Sequence, residues 1–530
     1  LLEIEILRYQ FKNQIATSIE SIIWLDVDQF FGIEFEEFPA RIAEVAMWLI
    51  DHQMNMQISS EFGQYFIRLP LKKSARILHA DALELDWNEL INKNELSYII
   101  GNPPFIGAKI MTAKQRGQIV KIFESSPGSG TLDYVSGWYV KAAKYIHGTT
   151  IKVAFVSTNS IVQGEQTSLL WKPIIERYEA KIHFAHRTFK WSNEAKGNAG
   201  VYCVIIGFAN FDTNSKKLYE YENVRGEAHE VNAKNINPYL VDAKDIFISK
   251  QSKAISLAPK MFKGSQPTDG GNFLFTEDEK NKFLILEPLA EKYIKPLISA
   301  HEFLNGERRY CLWLAQAQPD EISRMPHVLS RIRGVKDMRL KSTKPATVAW
   351  AAYPTLFTEN RQPKTDYILV PSHSSENRTY IPMGFMTSND ILNNSCLSIP
   401  NANHYHFGVL MSSMHMAWVK TVCGRLKSDF RYSKEIVYNN FPWPYSPNAK
   451  QVKAIENKAL KVLEVRTLFK TSTLADLYNP LTMPMELLNA HRELDKAVDL
   501  AYRPQLFLNE IKRLEFLFEL HRQYLATNNP

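Results

Sequence analysis

Residues 98–107 read YIIGNPPFIG: an apolar run ending in a glycine, then an asparagine, two prolines and a phenylalanine. The run over 97–101 predicts a short strand, and Pro103 and Pro104 stop it, because neither can donate to a sheet ladder. The polar tip after that strand is either a rigid turn or a device that holds a flat amine. Its neighbours decide between them. Two earlier strands also end on polar groups, "FFGIE" (30–34) on Glu34 and "RILHAD" (76–81) on Asp81. Between them Pro39 sits where a helix starts, and "ARIAEVAMWLI" continues with helical spacing. A helix over 132–146 and strands over 151–158, 181–189 and 201–208 follow. This alternation predicts an α/β fold, a mostly parallel sheet with helices on both faces. Ligands of such sheets bind at the carboxyl ends of the strands, where Glu34, Asp81 and Asn102 fall.

The residue types at those ends suit one chemistry. A carboxylate after an early strand is the usual partner of ribose hydroxyls, which suits Glu34. Asp81 can accept from an adenine amino group, since a carboxylate only accepts. The exocyclic amine of a nucleobase is a poor nucleophile, because its lone pair is conjugated into the ring. Two acceptors, one on each N–H, aim that lone pair outward. Asn102 supplies a side-chain carbonyl and Pro103 a backbone carbonyl, stiffened by Pro104. Phe105 offers a flat apolar face for an extruded base. Positioning and electrostatic alignment do this work without a metal or a covalent nucleophile.

The bulk numbers fit a globular protein of two to four domains: 530 residues, 45% hydrophobic, 22% charged, net charge +7. No apolar stretch approaches the ~20 residues that span a membrane, and "LLEIEILRYQ" is no signal peptide, which leads us to expect no membrane partner. Cys203, Cys311, Cys396 and Cys423 are too widely spaced for a CxxC site and fit free thiols in a cytoplasmic protein. "HYH" (404–406) and "HFAH" (183–186) lack further ligands at metal spacing, so no metal is expected. "PGSG" (127–130) lacks the Lys-Ser/Thr of a phosphate-binding loop.

From about 216 the βα rhythm gives way to short runs broken by prolines and aromatics. Between Arg324 and Lys344 lie seven basic residues (Arg324, Arg331, Arg333, Lys336, Arg339, Lys341, Lys344) against one acid, Asp337. Such a cluster is either a solvated helix face or a phosphate-binding one. "GRLKSDFRYSK" (424–434) interleaves Arg425, Lys427 and Arg431 with Phe430 and Tyr432. From 450 onward the chain reads as helices, with Val452, Ile455, Ala459 and Val462 on one stripe and Leu487, Leu494, Val498 and Ala501 on another.

Taken together, these stretches resemble the amino-group DNA methyltransferases in the arrangement of adenine-N6 enzymes. "FFGIEFEEFPARIAEVAMWL", "ILHADAL", "IIGNPPFIGAK", "GTLDYVSGWYVKAAKY", "VAFVSTNSIVQGEQ" and "FKWSNEAKGNAGVYCVIIGF" occur in that family's order. "GRLKSDFRYSKEIVYNNFPWP" and "LYNPLTMPMELLNAHRELDKAVDLAY" are similar to the MmeI-type (type IIL) restriction–modification proteins. The resemblance implies a class I (Rossmann-like) S-adenosylmethionine-dependent methyltransferase domain over 1–215. An α+β target recognition domain over 216–445 and a C-terminal helical region over 446–530 would follow. It implies that Glu34 and Asp81 hold S-adenosylmethionine, with Asp133 and Trp138 near it, and that Asn102, Pro103, Pro104 and Phe105 hold the base. A further aromatic, Phe189 or Trp191 with Trp191 favoured, would pack on the flipped adenine. Double-stranded DNA would meet Arg331, Arg333, Lys336, Arg339, Lys341, Arg425, Lys427 and Arg431. A nuclease would be fused upstream or recruited as a partner. The family's glycine-rich cofactor loop does not precede "LLEIEILRYQ", so the chain as given is expected to hold cofactor weakly. Methylation of cytosine N4, and a non-catalytic DNA-binding role, stand as the alternatives.

Overall fold

The computed structural model describes residues 2–10, 23–63, 74–191, 201–221, 223–426 and 428–528. It divides into two compact units, Leu1–Thr158 with Leu169–Asn232, and Asn159–Ser168 with Ala233–Pro530.

In the first unit a helix, α1 (Leu2–Gln10), precedes the parallel pair β1 (Phe31–Glu34) and β2 (Arg76–His79). The 26-residue helix α2 (Glu37–Phe62) joins the two strands and ends on Gly63, whose φ of 66° is the left-handed conformation that favours glycine. Glu34 stands opposite His79, and Ala80 N–H donates to the Glu34 carbonyl at 2.9 Å. The ends that carry Glu34 and Asp81 therefore lie side by side.

A second sheet holds β3 (Tyr98–Gly101), β4 (Lys152–Thr158), β5 (Lys181–Trp191), β6 (Val201–Ala209), β7 (Lys216–Tyr221) and β8 (Ala228–Ala233), in the order β3-β4-β6-β5-β7-β8. β3 is an edge strand with Tyr98 and Ile100 exposed. It runs parallel to β4, and β5 parallel to β7, but β6 runs antiparallel to both β4 and β5. The second sheet is thus mixed, where the alternation predicted a mostly parallel one. The physical reason is length: only residues 192–200 separate β5 from β6. A parallel return needs a crossover of about a dozen residues or more.

The register carries the end of β3 across the sheet. Gly101 pairs with Phe155, Phe155 with Ile206, and Ala185 with Ile206. Residues 187–191 of β5 therefore continue beyond the rim at which β3 delivers Asn102. Between His186 and Phe189 the pairing shifts: β6 advances from Ile205 to Cys203 while β5 advances three residues. This bulge keeps His186, Phe189 and Trp191 on one face, with neighbouring ring centroids 6.3 and 6.2 Å apart.

Two helices pack beneath the strand ends, α3 (Ala113–Ile122) and α4 (Ser136–Ile146). α3 starts on a capping box in which Thr112 and Gln115 bond each other's backbone N–H. α4 buries Tyr139, Val140, Ala142, Ala143 and Ile146. Each of its larger apolar side chains contributes about 1.5–3 kcal/mol of burial. It begins four residues later than the periodicity predicts, because Leu132–Val135 turn instead; Tyr134 N–H there donates to Ile106 C=O at 2.9 Å. At Gly137 a Cβ would lie 3.0 Å from Ile119 and 3.1 Å from Leu83, so glycine permits the close approach of α4 to both. A helix α5 (Gly164–Lys172) follows β4 in sequence.

The second unit contains two four-stranded sheets and a three-stranded one, and ends in the long helices Ala449–Thr467, Met485–Tyr502 and Glu510–Asn528. One apolar core runs from Tyr239 to Phe518 and takes in Ile455, Ala459, Val462, Leu487, Leu494 and Val498. The C-terminal helices share this core with the strands Tyr367–Pro371 and Cys396–Pro400. Among the described residues no helix is long and apolar enough to cross a membrane.

Candidate active site and nucleic-acid interface

Asn102 leaves the end of β3 exposed, Pro103 is buried beneath it, and Phe105 is half-buried. Among the described residues neither the Asn102 side chain nor the Pro103 carbonyl has a hydrogen-bond partner. The next residues are fixed. Pro104 C=O accepts from Ile106 N–H at 3.2 Å, and Ile106 C=O accepts from Tyr134. Ala108 N–H donates to Asp133 Oδ1 at 2.9 Å, and Arg116 donates to the carbonyls of Ala108 and Gly130. Two open acceptors thus stand just before residues tied down at Ile106 and Ala108.

Asp81 Oδ1 accepts from Leu83 N–H at 3.0 Å and Oδ2 from Gln118 Nε2 at 2.8 Å. Glu34 is half-buried, and its Oε1 accepts from Glu36 N–H at 3.1 Å. Each carboxylate keeps lone pairs beyond these bonds. Lys141 donates to the carbonyls of Leu83 and Leu85 and lies 5.6 Å from the Trp87 ring. Burial pulls its ammonium down to about 8, against the attraction of Asp86 and Asp81. Asp133 spends one oxygen on the clamp segment, and Trp138 meets Tyr134 edge-on at 5.1 Å. Asp81 and Trp138 are therefore joined through Gln118 and Tyr134 to Ile106, and Asp133 holds Ala108, both just past the Asn102–Phe105 segment. Trp191 is 39% exposed; Phe189 stacks on Tyr221 at 5.5 Å, so Trp191 is the more available ring.

Sequence reasoning missed Arg116, Gln118 and Lys141, all polar residues on helices where a solvated face is the ordinary reading. The signal that could have found two of them is spacing. Gln118 and Ile119 follow a capping box by a turn, and Lys141 sits between Val140 and Ala142 on a helix that buries both.

The basic residues of the second unit divide into two sets. Arg339 is fully buried and donates to five backbone carbonyls, those of Pro267, Thr268, Trp350, Tyr353 and Leu356. It continues the buried stripe Val328, Ile332, Val335 of the helix Pro326–Leu340. Arg331 lies over Phe275 at 4.1 Å and donates to Asn272 C=O at 2.6 Å. Arg425 lies over Phe430 at 3.9 Å and donates to the carbonyls of Ser428 and Lys420. The Arg339 guanidinium is spent on the fold, which corrects its expected contact with DNA, whereas Arg331 and Arg425 are only half-buried. Charge counted along a sequence does not separate the two faces of a helix. Arg333, Lys336, Lys341, Lys344 and Arg431 are exposed; Lys427 lies outside the described residues. Among the described residues no group of three or more His, Cys, Asp or Glu could hold a metal ion.

Acceptors thus stand at the strand ends of an α/β unit, in one chain with a second unit that carries a basic helix. Residues 1–220 match the model of the MmeI DNA-methyltransferase domain, 242–445 that of the MmeI target recognition domain, and 447–528 that of the MmeI C-terminal domain. The type IIL restriction–modification enzyme MmeI, solved in complex with DNA, is 49% identical with a TM-score of 0.84, over 99% of this chain and 70% of that one. The chain belongs to the MmeI family of type IIL restriction–modification proteins. DNA methyltransferase A of Bacillus subtilis (strain 168) is 40% identical over 501 residues, 94% of this chain and 56% of that protein. The chain spans little more than half the length of that curated relative.

Proposed function

We propose that the protein is the modification and specificity part of a restriction–modification or related defence system. It transfers a methyl group from S-adenosylmethionine to the N6 amino group of an adenine flipped out of double-stranded DNA. The observation that carries this reading is the pair of open acceptors, the Asn102 side chain and the Pro103 carbonyl, between β3 and the tied residues Ile106 and Ala108. Two acceptors on the two N–H bonds of one amine draw its nitrogen out of conjugation and aim the lone pair. Phe105 and Trp191 are the faces between which the extruded base stacks, replacing the stacking lost from the duplex.

The residues present fit the cofactor by donor chemistry. Glu34 and Asp81 are acceptors with lone pairs to spare, and the ribose hydroxyls and adenine amine of S-adenosylmethionine are donors. Glu34 would hold the ribose and Asp81 the adenine, with Asp133 and Trp138 beside them. When bound, the cofactor supplies a methyl group activated by a sulfonium. The protein's own contribution is to orient the amine and to exclude water from it. Arg333, Lys336, Lys341 and Arg431 are free to meet phosphates, and base edges are then read elsewhere on the recognition region.

The test is mass spectrometry of nucleosides from duplex DNA incubated with the full-length protein and S-adenosylmethionine. N6-methyladenine is the expected product; N4-methylcytosine as the sole product would overturn the adenine assignment.

A further inference from the structure

Gln118 is a buried side chain of α3 whose polar groups are almost all engaged. Its Nε2 donates at 2.8 Å to Asp81 Oδ2 and at 2.8 Å to Glu84 Oε1, while its Oε1 accepts from the Tyr134 hydroxyl at 2.6 Å. The amide can face only one way. Both carboxylates accept, so they require the NH2 group, and the phenol donates, so it requires the carbonyl. Burial, with Asp81 and Glu84 nearby, pushes the Tyr134 phenol up to about 12, which keeps that donor protonated. Tyr134 in turn donates its backbone N–H to Ile106 C=O, one residue past Phe105.

We propose that Gln118 is a positioning residue: it holds the Asp81 carboxylate in the orientation that receives the cofactor's adenine, and ties it through Tyr134 to the segment that holds the target base. The proposal rests on the reading of Asp81 as the adenine acceptor. Three features make the arrangement more than a filled core site. One amide parts two carboxylates that would otherwise repel, with Lys114 at 3.5 Å serving only the outer one, Glu84. Leu83 N–H already fixes Asp81 Oδ1, so Gln118 sets the remaining rotational freedom of the carboxylate. The relay also runs without a gap from Asp81 through Gln118 and Tyr134 to Ile106. Gln118 touches neither substrate nor cofactor in this scheme; its effect passes through Asp81.

The experiment compares the full-length wild-type protein with Gln118→Met, Tyr134→Phe and Asp81→Ala. Calorimetry measures binding of S-adenosylhomocysteine and of its deaminated analogue, in which hypoxanthine replaces adenine. Gln118→Met keeps the shape and removes the hydrogen bonds. It should weaken adenine-cofactor binding by about tenfold and shrink the adenine-over-hypoxanthine preference by a similar factor. The KM for S-adenosylmethionine should rise in step, with kcat changed by less. Tyr134→Phe deletes a single hydroxyl, tests the relay should Gln118→Met fail to fold, and should shift the preference in the same direction by less. Equal weakening of both ligands, or an unchanged preference in both variants, would overturn the positioning role. Loss of preference in Asp81→Ala alone leaves the adenine assignment standing and removes Gln118 from it. An unchanged preference in Asp81→Ala would overturn the assignment of Asp81 itself.

Discussion

At the end of β3 the Asn102 amide and the Pro103 carbonyl are left open, whereas in the second unit Arg339 commits its guanidinium to five backbone carbonyls. Both are polar groups set on tight backbone, and the difference lies in what completes them. Arg339 is completed by the protein itself, so its charge serves as a fold staple. Asn102 and Pro103 are left for a donor from outside the protein, and in the proposed function the two N–H bonds of an amine match them in number. Group type alone would have ranked the arginine as the ligand contact and the asparagine as a turn.

The sharpest way to break this comparison is Asn102→Ala. In the full-length protein it should lower methylation by about a thousandfold or more while leaving DNA binding within a few-fold. Methylation rates and a DNA-binding isotherm check it together, and retained methylation would remove the clamp assignment. Next in size is Arg339→Met, which leaves several buried carbonyls without a donor. It should cost about 4 kcal/mol or more of stability in the second unit, read as a lowered denaturant midpoint. A smaller effect concerns buried imidazoles. His415 is fully enclosed between Leu410 C=O and the Tyr432 hydroxyl, and burial pulls it down from 6.5 to about 3. The unfolded chain therefore binds a proton that the folded one refuses. The stability this neutral ring allows is complete above about pH 6.5 and is lost as pH falls towards its folded value. His415→Gln should flatten the decline of the denaturant midpoint between about pH 6.5 and 4. The mildest test is the double variant Arg333→Ala, Lys336→Ala. It should leave stability within about 0.5 kcal/mol and make the salt dependence of DNA binding shallower by about 2 in logarithmic slope. An unaltered slope would assign those side chains to solvent.

The strands were legible in the sequence because apolar runs bounded by turn residues carry their own signal. β1 to β6 fall within a residue or two of the positions expected from it. The direction of β6 was not legible, because it depends on how short the 192–200 connection is and not on what β6 contains. Glu34, Asp81 and Asn102 could be named as candidates since each follows or ends a recognisable strand. Gln118 could not, because its importance comes from meeting Asp81, Glu84 and Tyr134 in space, residues 37, 34 and 16 positions away. Arg339 misled for the same reason. An arginine's fate depends on whether carbonyls and aromatic rings from elsewhere in the chain close around it.

The bulge in β5 turns on parity. Residues 186 and 189 are an odd number apart yet share a face, so the strand holds one residue more than strict alternation allows. Deleting Arg187 or Thr188 would restore alternation between His186 and Phe189 and leave Phe189 and Trp191 facing as they do now. Deleting Lys190 shortens the strand by the same amount and turns Trp191 to the opposite side of the sheet. Two deletions of equal length, at most three positions apart, would thus have opposite outcomes for the aromatic rim.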